Sequence, residues 1–223
     1  MTVQVDPPAE PAPKAWVRRR DDLGEHVAKR IGALQTRLLW DMPQPEAVSA
    51  LARLRRGLGR TPGFDFTLER YLQVPDHLLG YRPADDAEAS DAEQAVHDAV
   101  TLYALHQQSR RARMHVEGRG LGRALGDLVR ASGGPEGVRR RFAALGTAST
   151  YQESIHHLRS LITMLREHQI PLDYGLLADD LQTLRHPDGR STIQAIWGRE
   201  FFRSRPSNRA DAPVTDSTQE EPS

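Results

Sequence analysis

Leu23, Val27, Ile31, Leu34 and Leu38 recur at steps of three and four residues, the spacing of one apolar helix face, and predict a helix from about Trp16 to Trp40. Pro45, a favoured first-turn residue, opens a second helix that the pattern carries to Arg60, before Thr61-Pro62-Gly63 breaks it. Phe66 to Leu72 reads as a short helix and Val74 to Ala89 as a long acidic loop. Ser90 with Glu93 forms a capping-box pattern that opens a helix to about Gln108, buried through Val96, Ala99, Val100 and Tyr103. After a polar, arginine-rich joint at Ser109 to Gly118, the run GRGLGRALGDLVRA predicts a basic helix, and Pro135 starts another through Leu145. Thr150 with Glu153 makes a second capping-box pattern for a helix to about His168, with a core stripe of Ile155, Leu158, Ile162 and Leu165. Asp173 can cap a helix bearing Leu176, Leu177, Leu181 and Leu184; a last one after Gly189 uses Ile193, Ile196, Trp197 and Phe201.

No alternating strand pattern interrupts this series, so the expected fold is all-α: two small helical bundles joined by a short polar linker. The expected divisions are a disordered tail at 1–14, an N-terminal helical domain at 15–110, a C-terminal bundle with a basic face at 111–204 and a second disordered tail at 205–223. Hydrophobic residues make up 38% of the 223, enough for cores of that size. Trp40, Trp197, Tyr174 and Phe142 fall at apolar positions and are expected in the core; they are too poorly interleaved with arginine to suggest a base-stacking platform.

Charge changes the picture. Formal net charge is zero, yet Asp76 to Asp98 holds seven acids against Arg82, and Arg110 to Arg141 holds nine arginines against Glu117, Asp127 and Glu136. The field is therefore local: acidic in one stretch, basic in the next. Of the 30 basic residues only Lys14 and Lys29 are lysines. Arginine's planar fork binds phosphate bidentately, although a GC-rich coding sequence gives the same bias without any function.

On a helical wheel Arg119, Arg123 and Arg130 lie within about 40° of one another, nearly opposite Leu121, Leu125, Leu128 and Val129. Arg53, Arg56 and Arg60 likewise span about 60° on the second helix, across from Val48, Leu51, Leu54 and Leu58. Such rows suit a phosphate backbone; the competing reading of each is a solvated basic face without a partner. Gly120, Gly122 and Gly126 disfavour helix, and close approach of another backbone explains them, a neighbouring helix more readily than a nucleic-acid strand.

Candidate chemistry is otherwise sparse. Without cysteine there is no disulfide, thiolate metal site or cysteine nucleophile. The nine histidines include no HExxH or His-x-His spacing, so no metal is expected. Asp21-Asp22, Asp85-Asp86 and Asp179-Asp180 are sequence neighbours that cannot share a helix face, which argues against a two-metal centre. No phosphate-loop, dinucleotide or serine-elbow motif occurs, so neither an enzyme nor a cofactor is expected. No apolar run is long enough to span a bilayer and the N-terminus lacks a signal-peptide pattern; no membrane partner is expected, and the expected location is cytoplasmic.

Several stretches, in order, resemble the CasB family, the small subunit of the type I-E CRISPR Cascade surveillance complex. They are Ala52 to Arg56 (ARLRR), the LGRAL run within Gly118 to Leu125, Arg139 to Phe142 (RRRF), Leu158 to Ile162 (LRSLI), Ile170 to Leu177 (IPLDYGLL) and Trp197 to Phe202 (WGREFF), together spanning most of residues 15–203. The resemblance implies a non-catalytic, two-domain helical subunit, present as two copies beside the crRNA-bearing backbone and the large subunit. Its basic surfaces would hold the crRNA–target DNA duplex and the displaced strand of the R-loop. Arg56, Arg123, Arg139, Arg140 and Arg159 stand at matching motif positions; Arg53, Arg60, Arg119 and Arg130 join them on helical geometry. The chain departs from the pattern in its two tails and in the acidic 76–98 stretch. A reading from another class is a helical interaction scaffold whose arginine rows pair with acidic partner subunits.

Overall fold

The structure is a computed structural model and describes residues 18–80, 88–186 and 188–203. In chain order the helices are α1 (Asp22–Leu38), α2 (Pro45–Arg56), the single-turn α3 (Glu69–Leu72, led in by a 3-10 turn at Phe66–Leu68), α4 (Asp91–Gln107), α5 (Leu121–Ala131), α6 (Pro135–Thr147), α7 (Tyr151–Glu167), α8 (Tyr174–Arg185) and α9 (Gly189–Arg203). Among the described residues the only β feature is an isolated parallel bridge between His115 and Leu172. The fold is all-α.

Ser90 starts the helix around which the others gather. Glu93 N–H donates to its hydroxyl at 3.2 Å and Ser90 N–H donates to the Glu93 carboxylate at 2.7 Å, the reciprocal pair the spacing predicts. Beyond that cap α4 is buried on nearly every side, and α1, α2, α7 and α8 pack on it. Most of its polar members find partners inside the protein, although His97 Nε2 and His106 Nε2 are buried without one. Asp98 accepts from the Tyr151 hydroxyl at 2.8 Å and from Gln94 Nε2 at 2.9 Å, so this acid of the 76–98 stretch lies inside the protein. Burial pushes His106 down to about 3, leaving a neutral ring whose Nδ1 lies 2.9 Å from the Tyr174 hydroxyl.

α5, with α6, α7 and α9 packed on it, forms a second group, and one buried apolar cluster runs from Leu23 to Phe201 through both groups. Gly122 explains the close pairing of α5 with α9. A Cβ there would fall inside contact distance of the Trp197 carbonyl and of the Glu200 side chain, so helix packing accounts for this glycine. The segment joining α4 to α5 is bolted down. Gln35 exchanges two hydrogen bonds with the His115 backbone at 2.8 and 3.0 Å, and Gln107 bonds the Arg110 and Ala112 carbonyls and the Met114 N–H.

Several helix ends differ from the sequence expectation. α1 begins at Asp22, not near Trp16, because its first N–H groups are capped from another helix. Asp21 and Gly24 N–H donate to the Asp179 carboxylate at 2.9 and 2.7 Å, and Gly24 leaves room for that oxygen. Residues 18–20 then run as a strap held by Arg18 on Asp180 and by Arg20 on Asp173. α2 stops at Arg56, not Arg60, since Gly57 packs under the Phe64 ring and Gly59 takes a positive φ of 80°. The basic helix starts at Leu121, leaving Arg119 outside it, because the Arg119 carbonyl is taken by Asp173 N–H at 2.8 Å and Gly118 turns the chain at φ 73°. Thr150 caps α7 as expected, but Glu153 reaches Ser149 rather than Thr150, so this cap is one-sided.

Of the four aromatics expected in the core, Trp197 and Tyr174 are buried and Phe142 is half-buried against Phe201 at 4.7 Å. Trp40 is not: 53% of it is exposed. α1 ends two residues before it, and Pro43 and Pro45 bar any continuation, so the apolar stripe never reaches Trp40. The expected tails at 1–14 and 205–223, and Asp85-Asp86 of the acidic loop, lie outside the described residues.

Candidate nucleic-acid interface

Every α5 residue that meets the core lies on one side, and Arg123 and Arg130 project from the other. Arg123 is exposed, and among the described residues its guanidinium has no hydrogen bond or ion pair. Asp127 stands between these arginines on the same face, four residues after Arg123 and three before Arg130. It pairs with Arg119 at 2.9 Å and also with Arg130. Only Arg123 and Arg130 of the expected row stand on the helix; Arg119 joins them through Asp127 from the segment before it, and that carboxylate is legible in the sequence at spacings of three and four.

α6 and α7 carry further arginines. Arg141 ties them together, donating from Nε to Ser160 at 3.1 Å and from a terminal nitrogen to the Gly137 carbonyl at 3.1 Å. Its neighbours divide: Arg139 pairs with Glu136 one turn back, while Arg140 is exposed, without a side-chain partner among the described residues. Arg159, beside Ser160 on α7, is also exposed and its guanidinium unpartnered within the same limits. Arg123, Arg140 and Arg159 are thus open cations on three mutually packed helices.

The N-terminus of α5, where an anion could otherwise be received, is filled from within. Glu200 of α9 accepts from Gly122 N–H at 3.1 Å and lies 3.6 Å from Arg18. Burial raises this carboxyl above its ordinary value, against the pull of Arg18 and the α5 N–H groups.

The second row belongs to the other helix group, since α2 packs on α1 and α4. Arg53 is half-buried and bonded to the Thr67 hydroxyl, whereas Arg56 and Arg60 are exposed. The Asp65 carboxyl sits nearby, held below its ordinary value chiefly by the Thr67 hydroxyl and further by the charges of Arg53 and Arg56. Arg60 lies in the turn beyond α2 and so leaves the helical row.

Sequence reasoning passed over one further cluster: Arg55, Arg110 and Arg111 around the exposed Trp40. The signal was the pair of prolines just after Trp40, which detach it from the α1 stripe.

The sequence model of the CRISPR-associated protein Cse2 family matches residues 50–202. The chain belongs to this family. Among solved structures it is similar to CasB from Thermobifida fusca, at 41% identity over 82% of this chain and 99% of that one, with a TM-score of 0.65. It is also similar to a Cse2-family CRISPR-associated protein from Thermus thermophilus, at 26% identity over 81% and 97% of the two chains, TM-score 0.57. A chain of a CRISPR RNA-guided surveillance complex shares the fold, with 24% identity over 80% of this chain and 94% of that one and a TM-score of 0.54. No curated protein matches. No helix among the described residues is long and apolar enough to cross a membrane.

Proposed function

We propose that this chain is the small, non-catalytic subunit of a Cascade-type CRISPR surveillance complex, and that its arginine-bearing helix faces hold nucleic-acid backbone. Its partners on this reading are the crRNA-bearing backbone and large subunits, a second copy of itself, the crRNA and the target DNA with its displaced strand, all in the cytoplasm. Guide–target pairing reads sequence, so such a subunit needs only to add phosphate contacts that tip a nearly balanced strand exchange toward the R-loop. The observation that carries the reading is the set of open guanidiniums, Arg123, Arg140 and Arg159, on three packed helices of a Cse2-family chain. Arg119, Arg130 and Arg139 flank them already paired to Asp127 and Glu136, and Arg53, Arg56 and Arg60 would add a second stretch of contacts.

The test is the salt dependence of single-stranded DNA binding by the full chain. About six arginine–phosphate contacts give a log–log slope near −4, and replacing Arg123, Arg140 and Arg159 by Glu should flatten it to about −2 or less. Melting temperature should hold, since these side chains make no internal bonds among the described residues. In the assembled complex the same variant should weaken target-DNA binding. An unchanged slope and target affinity would remove these residues from the interface.

A further inference from the structure

A groove of about 580 Å³ lies between the α1–α2 loop, the outer face of α2 and the segment leaving α4. Its apolar wall is Trp40, Val48 and Leu51; its charged rim is Arg55, Arg110 and Arg111 against Asp41. We infer that this groove binds one unpaired nucleotide of a single strand, the base stacked on Trp40 and the adjoining phosphates held by Arg55, Arg110 and Arg111.

Three observations carry the assignment. The indole is the most exposed tryptophan surface among the described residues, in a protein that buries Trp197 almost completely. A flat aromatic face open to solvent offers any base the same stacking energy. Next, the three guanidiniums make no hydrogen bond or ion pair among the described residues, and Arg110 Nε is shielded from water without an acceptor. A guanidinium with no internal partner is available to an anion in the groove. Third, the arm carrying Arg110 and Arg111 is fixed in advance. Ser109 holds a positive φ of 58°, Arg110 N–H donates to the Gln107 carbonyl at 3.1 Å, and buried Gln107 clamps the Arg110 and Ala112 carbonyls at 2.8 and 3.0 Å. An arm that is already ordered loses little entropy on binding.

The polar floor explains why the occupant would be a nucleotide of any sequence. Gln107 spends its amide on its own backbone, and Gln108 Oε1 accepts from Arg166 at 2.9 Å, so stacking and charge dominate over base-edge readout. Duplex bases present no free face to Trp40, which restricts the site to unpaired strands. Three cations against one carboxylate also fit an acidic peptide of a partner subunit, and the experiment separates that case.

The full chain is titrated at low salt with an oligothymidylate and with an abasic strand of the same length, in wild type, Trp40→Ala and Arg110→Ala/Arg111→Ala. Trp40→Ala should weaken oligothymidylate binding by about 5- to 150-fold while leaving abasic-strand binding unchanged. The double arginine variant should weaken both, and Trp40→Phe should restore most of the oligothymidylate affinity. In a Trp16→Phe background, where only Trp40 and the buried Trp197 emit, comparison with Trp16→Phe/Trp40→Ala reports whether Trp40 fluorescence is quenched by the oligothymidylate and not by the abasic strand. Wild-type affinity in Trp40→Ala, an equal loss for the abasic strand, or no oligothymidylate binding by the intact chain would each overturn the assignment. So would a Trp40→Ala chain that keeps its oligonucleotide affinity but no longer joins the other subunits, an outcome that marks a protein-docking groove. The α5–α7 arginines act on paired, unpaired and abasic strands alike, so failure of that surface and failure of this groove give different patterns.

Discussion

Arginine has two opposite fates in this molecule. In the strap before α1, Arg20 forks onto Asp173 through Nε and a terminal nitrogen, both at 2.9 Å, and Arg18 pairs with Asp180; the carboxylates are almost completely removed from water. On α5 to α7, Arg123, Arg140 and Arg159 stand in solvent and form no ion pair among the described residues. The difference lies in where the acids are. α8 and its N-cap Asp173 contribute Asp173, Asp179 and Asp180 to a buried cluster that only a cation or an N–H group can satisfy, and the strap supplies both. A bidentate pair in that setting is structural, whereas an exposed guanidinium adds little to stability and remains available to a partner.

The sharpest way to break the comparison is Asp173→Ala. Asp173 accepts from Arg20, from Gly118 N–H at 2.7 Å, and from Gly175 and Leu176 N–H at 3.0 and 3.2 Å. It therefore joins the strap, the α4–α5 segment and the start of α8. Removing it strands three N–H groups and leaves the Arg20 guanidinium with only the more exposed Glu25, an expected loss of about 3–5 kcal/mol. Thermal unfolding should fall by roughly 10 °C or more, while Arg123→Glu shifts it by less than about 2 °C. Similar melting temperatures for the two variants would mean that burial does not separate the two classes of arginine.

Much of this division is legible in the sequence, and the misses have physical causes. Helix number, order and the Ser90, Thr150 and Asp173 caps follow from local spacing, because caps and stripes are set by residues three and four apart. The ends of α1 and α5 do not, because Asp179 and Asp173 act across more than fifty residues of sequence. Local spacing argues against Asp179-Asp180 as a metal pair but cannot supply its actual partners, which are backbone N–H groups, Arg18 and the Trp197 indole N–H. For the candidate site, the Arg119–Arg123–Arg130 face is readable, yet Asp127 within it and Trp40 outside the core require the same wheel and the same prolines to be applied once more.

A smaller effect tests the buried side through pH. Burial pushes Asp179 up to about 7 despite two N–H donors, from an ordinary value of 3.8. The folded state then holds a proton that the unfolded chain has already lost between about pH 4 and 7, so stability falls as pH rises through that window and levels off above it. The slope from this group is at most about 1.4 kcal/mol per pH unit. Asp180, at about 6, acts in the same direction. Asp179→Asn removes the titration and keeps an acceptor oxygen for one of the Asp21 and Gly24 N–H groups, which the carboxylate receives on separate oxygens. Its melting temperature should decline less than that of wild type between pH 5 and 8. Parallel profiles would show that Asp179 is ionised in the folded protein throughout.

The smallest change probes the exposed side from the opposite direction. Asp127→Asn removes the carboxylate set among Arg119, Arg123 and Arg130 and leaves the α5 core residues untouched. Because Asp127 is a partly exposed surface acid, the stability cost should stay below about 1 kcal/mol. If phosphates approach this face, they currently compete with Asp127 for two of its three guanidiniums. Its removal should raise single-strand affinity a few-fold at low salt and steepen the log–log salt slope by about 0.7–1.4, one or two added contacts. A scaffold that pairs these arginines with acidic proteins would leave nucleic-acid affinity flat and strengthen subunit docking instead. Loss of a single negative charge would thereby tell whether α5 faces a phosphate chain or a carboxylate surface, without altering any of the arginines in question.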